Sequence, residues 1–218
     1  VAAGDDRPQR HIARRLEEIS PTLSGKRTVI AHLGNGASLC AIRHGRSVDT
    51  TMGLTPLDGL MMGTRSGAID PGALLYLQQC GMSLDDLQHM LYLESGLLGI
   101  SGISADMRTL LASSDSRAAE AIELFTFRIA RETAAMANTF GGLECLIFTG
   151  GIGEHSSEIR QHVCERLQWL GAQIDHSAND QGNEYISTKN SRIDVRVIPT
   201  NEETMIARHC SDVLRAMR

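Results

Sequence analysis

Apolar residues follow two rhythms along this chain, and the points where the rhythm changes mark its elements. Thr28 to Leu33 (TVIAHL) is a β-branched apolar run closed by Gly34-Asn35-Gly36, which predicts a strand and a turn. Ser38 to Ile42 continues as a strand, and Arg43-His44-Gly45-Arg46 turns the chain into Ser47 to Thr51, so a β-meander is expected. Met52 to Gly67 is rich in Gly and Met and has no period; a loop this long in a compact domain is commonly functional. The helical period then takes over. Asp70-Pro71 starts a helix that Gly81 stops, and Ser83 to Asp86, close to a capping box, starts another that runs to about Glu94. Arg117 to Phe140 is the longest helical stretch, ended by Gly141-Gly142. Cys145 to Thr149 (CLIFT) is wholly apolar, as in strands buried on both faces, and a helix from about Glu154 to Leu170 follows its glycines. Ser177 to Arg192 is polar and reads as a surface excursion; Val195 to Ile198 is a further buried-type strand. Short helices are also expected over His11 to Ile19 and after Asn201. Strands first, then strands interleaved with helices, predict an α/β fold with a mixed sheet.

Composition narrows the functional classes. Of 218 residues, 42% are hydrophobic and 22% charged, ordinary for a globular chain able to bury a core. The net charge of -5, with no dense Lys/Arg cluster, argues against nucleic acid or an anionic membrane as partner. No apolar run approaches the ~20 residues of a membrane span, and the N-terminus does not read as a secretory signal. Five scattered cysteines (Cys40, Cys80, Cys145, Cys164, Cys210) contain no C-x-x-C pair, which favours reduced thiols and a cytoplasmic location. The histidines show no metal-ligand spacing, and His11, His89, His162, His176 and His209 are expected on the surface.

Three strand ends deliver small or acidic residues, the place where open α/β sheets bind ligands. His32 to Ser38 (HLGNGAS) can bring backbone N–H groups and the Asn35 amide to a phosphate, or it can be a plain Asn-Gly hairpin turn. Thr149 to Glu154 (TGGIGE), between strand and helix, can hold an anion or nucleotide at the helix start, or simply allow close helix–sheet packing. It matches neither the Rossmann nor the Walker pattern. Asn201-Glu202-Glu203 can cap a helix, or it can supply a carboxylate to a magnesium ion. Arg65, flanked by Gly63-Thr64 and Ser66-Gly67, suits stabilisation of a transferring phosphoryl group, or it is a solvated loop arginine.

Together with Asp49 to Pro71 (DTTMGLTPLDGLMMGTRSGAIDP), Glu94 to Ile103 (ESGLLGISGI), Phe148 to Glu154 (FTGGIGE) and Ile198 to Arg208 (IPTNEETMIAR), the HLGNGAS string places the sequence close to one family. It resembles the acetate kinase family (acetate, propionate and butyrate kinases), part of the sugar kinase and actin superfamily. The resemblance implies an actin-like, ribonuclease H-like ATPase domain, with ATP or ADP and Mg2+ as cofactors. It also implies transfer of phosphate from ATP to a short-chain carboxylate, giving ADP and an acyl phosphate. By the same resemblance His32, Leu33, Gly34, Asn35 and Gly36 form the phosphate loop, and Asp106, Met107 and Arg108 contact the adenosine. Gly151, Ile152, Gly153, Glu154 and His155 match the adenine and ribose loop, Arg65 the arginine that stabilises the transition state, and Glu202 the magnesium ligand.

Departures accompany the match. His155 stands where the family usually has Asn, and Ala68 where it often has Asp. Residues 1–10 (VAAGDDRPQR) match nothing in the family pattern, so 11–218 is read as the family's C-terminal, nucleotide-binding domain. The family's N-terminal domain carries the carboxylate-binding Arg, the catalytic Asp and the assisting His. Without it, half a cleft is expected to bind nucleotide weakly and transfer little, as a truncated product, an altered start or a separately expressed domain. Surfaces normally covered would then be exposed. Dimers or larger species are expected, with Met52, Met61, Met62 and the 117–140 helix as the apolar patch.

Overall fold

Uninterrupted β-branched and apolar runs become the centre of a sheet because both of their faces can be buried. The computed structural model describes residues 25–199. Within them lies a five-stranded sheet ordered β3-β2-β1-β4-β5, made of β1 (Thr28–Leu33), β2 (Ala37–Arg43), β3 (Arg46–Thr50), β4 (Cys145–Thr149) and β5 (Asp194–Val197). The first three strands form the expected meander. β1 and β2 pair antiparallel from Thr28↔Ile42 to Leu33↔Ala37, and β2 pairs β3 with a bulge between Ala41 and Ile42. The β2–β3 turn places His44 at φ 51 and Gly45 at φ 68, the paired positive angles of a tight hairpin turn. β4 joins β1 in parallel, from Thr28↔Cys145 to His32↔Thr149, and β5 joins β4 in parallel. This is the α/β mixed sheet with flanking helices that the sequence predicts.

Both faces of the central strands β1, β2 and β4 are dry, while the edge strand β3 is largely exposed. Val29, Ala31 and Leu33 point into the larger core, while Ile30, Cys40, Ile42, Cys145, Ile147 and Ile198 form a second cluster on the opposite face. The helices described are α1 (Pro71–Gln79), α2 (Leu84–Leu93), α3 (Gly96–Ser101), α4 (Met107–Leu111), α5 (Ser116–Phe140), α6 (Gly150–His155), α7 (Ser157–Arg166) and α8 (His176–Asp180). The long helix α5 supplies the wall over the larger core. Asp115 caps its start by accepting from the Arg117 amide, and Gly141, at φ 72, ends it. Its apolar stripe includes Ala118, Ala121, Ile122, Phe125, Ile129 and Met136. Thr126 and Thr133 lie in the same stripe, and each satisfies its buried hydroxyl on the carbonyl four residues earlier, Ile122 at 3.0 Å and Ile129 at 2.8 Å.

Four expectations change. The helix expected from about Glu154 begins instead at Gly150 and is broken at Ser156, whose extended backbone (φ -107, ψ 97) ends α6 while its hydroxyl caps α7. Two short helices, α3 and α4, occupy the glycine-rich stretch after Glu94, where the glycines concealed any period. The polar segment 177–192 is more than a surface excursion. It contributes to α8, buries Ile186 and Ser187, and bridges Ile174↔Ser187 and Tyr185↔Arg196. Met61 and Met62 are buried within this chain and belong to its core, and do not form an exposed patch. The helices expected over His11–Ile19 and after Asn201 lie outside the described residues.

Three cysteines, Cys40, Cys145 and Cys164, are buried, and Cys80 is exposed on the loop after α1. Burial pushes the Cys145 and Cys164 thiols up to about 12 from an ordinary value of 9.0. Because their folded values are raised, the stability they contribute is complete below pH 9 and is lost as pH rises from 9 toward 12. Two outcomes are expected. Denaturant midpoints fall over that interval, and alkylation of the native chain at pH 8, read by peptide mass, labels Cys80 and spares Cys145 and Cys164.

Candidate nucleotide site

Parallel pairing of β1 with β4 brings two glycine loops to the same sheet edge. β1 ends at Leu33 and releases Gly34-Asn35-Gly36; β4 ends at Thr149 and releases Gly150-Gly151 into α6. The approach is close. A Cβ at Gly150 would sit 2.8 Å from the Leu33 carbonyl oxygen, and the residue holds φ +79, so only glycine fits there. At Gly151 a Cβ would meet nothing within 4 Å: this glycine faces open space.

That open space is a cleft of about 580 Å³ lined by Gly34 and Asn35, by Ala105 to Arg108 with Leu111, and by Gly151, Ile152, His155 and Ser156. Three segments far apart in sequence thus converge. Of the residues singled out in the sequence, Gly34, Asn35, Asp106, Met107, Arg108, Gly151, Ile152 and His155 line this one cleft. The remaining predicted residues support the walls. Leu33 and Gly153 are buried, and a Cβ on Gly153 would be 3.5 Å from the Phe148 backbone. His32 is half-buried in the strand, paired with Ser38 and Thr149. The Glu154 carboxylate turns back to accept from the Gly150 amide at 2.8 Å, closing the first turn of α6. Gly36 lies outside the cleft lining but faces Arg65, whose Nη2 is 3.5 Å from where a Gly36 Cβ would be.

Arg65 is therefore beside the Gly34–Gly36 loop, and its own loop is held by several backbone hydrogen bonds. Its Nη1 donates to the Pro56 carbonyl at 2.8 Å. The loop carrying it is bound to the α2–α3 junction: Ser95 and Leu97 donate to the Thr64 and Met62 carbonyls, both at 2.9 Å, and Leu98 donates to Gly63 at 3.0 Å. Gly96, at φ +64, lies so close to the Met62 carbonyl that a Cβ would overlap it. The Gly63 amide in turn donates to the Asn35 carbonyl at 3.0 Å, tying the arginine loop to the glycine loop.

On the opposite wall Asp106 caps α4 through the Arg108 amide at 2.9 Å and pairs with the Arg108 guanidinium at 2.7 Å. Hydrogen bonds from Arg108 hold the Asp106 carboxyl below its usual range and raise the guanidinium in return. The same Asp-x-Arg arrangement recurs at Asp115 and Arg117, where the carboxyl is lowered to about 2. The pair at Asp106 is thus a helix-capping device that also edges the cleft. Leu111, one turn beyond Arg108, gives the cleft an apolar side with Ile152 and Met107; it and Ala105 were not singled out in the sequence because α4 was not anticipated, and Ser156 because the break between α6 and α7 was not.

The residues present fit a nucleotide: Cβ-free glycines at two strand ends, an apolar wall, and Arg65 beside the glycine loop. Among the described residues no group of three His, Cys, Asp or Glu side chains converges as a metal site, and Glu202 lies outside them. No helix among them is long and apolar enough to cross a membrane.

A mixed sheet of this order, flanked by helices and with glycine loops at the ends of β1 and β4, makes the chain an α/β protein with a nucleotide-sized cleft at the strand ends. More narrowly, the chain belongs to the acetokinase family, which it matches over residues 8–208. It is 54% identical over 203 residues to an acetate kinase of Rhodopseudomonas palustris, covering 91% of this chain and 51% of that protein. It is also 54% identical over 187 residues to a propionate kinase of Yersinia enterocolitica, covering 82% of this chain and 46% of that protein. The crystal structure of Porphyromonas gingivalis acetate kinase superimposes with a TM-score of 0.89 at 36% identity, over 95% of this chain and 54% of that one. The chain spans about half the length of the curated relatives it matches.

The two neighbouring glycines separate fold from site. Gly150→Ala is expected to destabilise the chain by several kcal/mol, because both its φ and the Leu33 carbonyl oppose a Cβ. Gly151→Ala is expected to leave the thermal midpoint within a few degrees and to weaken nucleotide binding by narrowing the cleft. Thermal unfolding of both variants, with ADP titration of the second, checks the contrast.

Proposed function

We propose that this chain carries the nucleotide-binding wall of an acetate kinase-type phosphotransferase, for the reaction ATP plus a short-chain carboxylate giving ADP plus an acyl phosphate. The observation that carries the reading is the convergence of Gly34-Asn35, Asp106-Arg108 and Gly151-His155 on one cleft, with Arg65 beside Gly36. In this reading the phosphates lie toward Gly34 and Asn35, and the adenosine lies between the Asp106–Arg108 wall and Ile152 and His155. A carboxylate oxygen of the acceptor attacks the terminal phosphorus in line while the bond to the ADP oxygen breaks. Arg65 supplies positive charge to the transferring group, and its carbonyl-anchored loop keeps it in place without reorganisation. Glu202, which lies outside the described residues, would hold a magnesium ion, and that ion would neutralise phosphate charge.

The acceptor is acetate or propionate. Equal identity to the acetate kinase and the propionate kinase supports both substrates alike, and no residue of the cleft described above selects between them. In-line transfer needs groups on the acceptor side as well as on the nucleotide side, and the residues described here line the nucleotide side. The part of the family length spanned by this sequence is therefore proposed to bind nucleotide while transferring little phosphate by itself. Calorimetric titration with magnesium–ADP, beside a hydroxamate assay for acyl phosphate from acetate and from propionate, tests this. Saturable binding with background hydroxamate is the expected result, whereas turnover would place a carboxylate site within this chain.

Self-association belongs to the same proposal. Helices α1 and α2 expose Leu75, Tyr76, Leu84 and Leu93, between 54% and 67% accessible, and α1 buries no residue at all. Sedimentation across a concentration series is expected to show dimers or larger species, and a Tyr76→Glu variant to shift them toward monomer.

A further inference from the structure

Among the described residues, the largest fully buried side chain is a charged one. Arg160, on the first turn of α7, is 1% exposed. A buried guanidinium is costly unless its N–H groups are satisfied, and among the described residues no carboxylate bonds to it. Four hydrogen bonds take that place. Nη1 donates to the carbonyls of Gly153 and Glu154, both at 2.9 Å; Nε and Nη2 donate to the side-chain and main-chain oxygens of Asn179, both at 2.7 Å. Asn179, itself fully buried on α8, donates back to the Ser157 carbonyl at 2.9 Å. Burial works against the charge and lowers the Arg160 pKa from its ordinary value.

What the guanidinium grips decides its meaning. Gly153 and Glu154 lie in α6, a six-residue helix whose final carbonyls have no following turn of N–H groups to donate to them. Fixing those two carbonyls fixes the helix whose other positions, Gly151, Ile152 and His155, line the cleft. A cation at a helix C-terminus also opposes the partial negative charge there. Asn179 extends the support to the polar 177–192 segment, whose burial otherwise has no part in the site. Resting on the nucleotide reading above, we infer that Arg160 is a positioning residue for the nucleotide. It acts through the Gly153 and Glu154 carbonyls and is itself held in place by Asn179.

The test uses the full chain and two readouts. Hydrogen exchange over residues 150–155 reports the grip with or without ligand, and calorimetry reports ADP affinity. Arg160→Lys keeps the charge but loses the fork of donors. It is expected to speed exchange in 150–155 and weaken ADP binding by about tenfold or more. Asn179→Ala, which leaves Arg160 but removes one anchor, should move both readouts the same way by less. Ile193→Val, a core truncation at the opposite end of the sheet, should destabilise the chain and leave both unchanged. If Arg160→Lys does not fold, Asn179→Ala decides. Unchanged exchange over 150–155 in the folded variant overturns the grip even where the wild type binds ADP. Faster exchange with unaltered ADP affinity overturns the link to the nucleotide. A wild-type chain that takes no ADP overturns the nucleotide reading, and the positioning role with it.

Discussion

Everything in the site depends on the parallel pairing of β1 with β4. Because the two strands run the same way and end together at His32↔Thr149, the loops that follow them emerge side by side at one edge. Parallel strands need a crossover connection, and here it runs from the meander through α1 to α5 before β4 begins. That crossover is not a passive linker. It carries Arg65, the Asp106–Arg108 wall and the long α5 that covers the core.

The tolerance at this junction is narrow. Gly150 sits against the Leu33 carbonyl with a positive φ, so the end of β4 can approach β1 only with a glycine there. The neighbouring Gly151 faces nothing, and the same dipeptide therefore combines a packing requirement with an open face. The two readings of the TGGIGE string are not alternatives: the first glycine answers the packing reading and the second lines the cleft.

Around these loops the chain uses carbonyls as anchors. The carbonyls of Met62, Gly63 and Thr64 receive amides from the α2–α3 junction and so hold the Arg65 loop, while the carbonyls of Gly153 and Glu154 receive the buried Arg160. Backbone acceptors in a dry environment must be satisfied, and each one satisfied by a distant residue fixes one segment relative to another. The cleft walls are held in this way while the lining itself stays small and open.

The β-meander, the buried strand β4, the long helix α5 and the glycine loops were legible in the chain because period, β-branching and capping residues act locally. Thr28 to Leu33, Asp115 and Gly141 carry those signals in their own neighbourhoods. Motifs carried the family as well, since HLGNGAS, ESGLLGISGI and FTGGIGE stand in order. Other features had no local signature. Helices α3 and α4 are held by hydrogen bonds to the Arg65 loop and by the Asp106 cap, within a stretch whose glycines weaken helical preference. Ser156 breaks a continuous helical pattern because one extended residue ends α6 and caps α7. Arg160 reads in sequence as an ordinary polar helix residue. Its burial follows only from the packing of α6, α7 and α8, which surrounds the guanidinium with carbonyl acceptors that no local rule could have brought there.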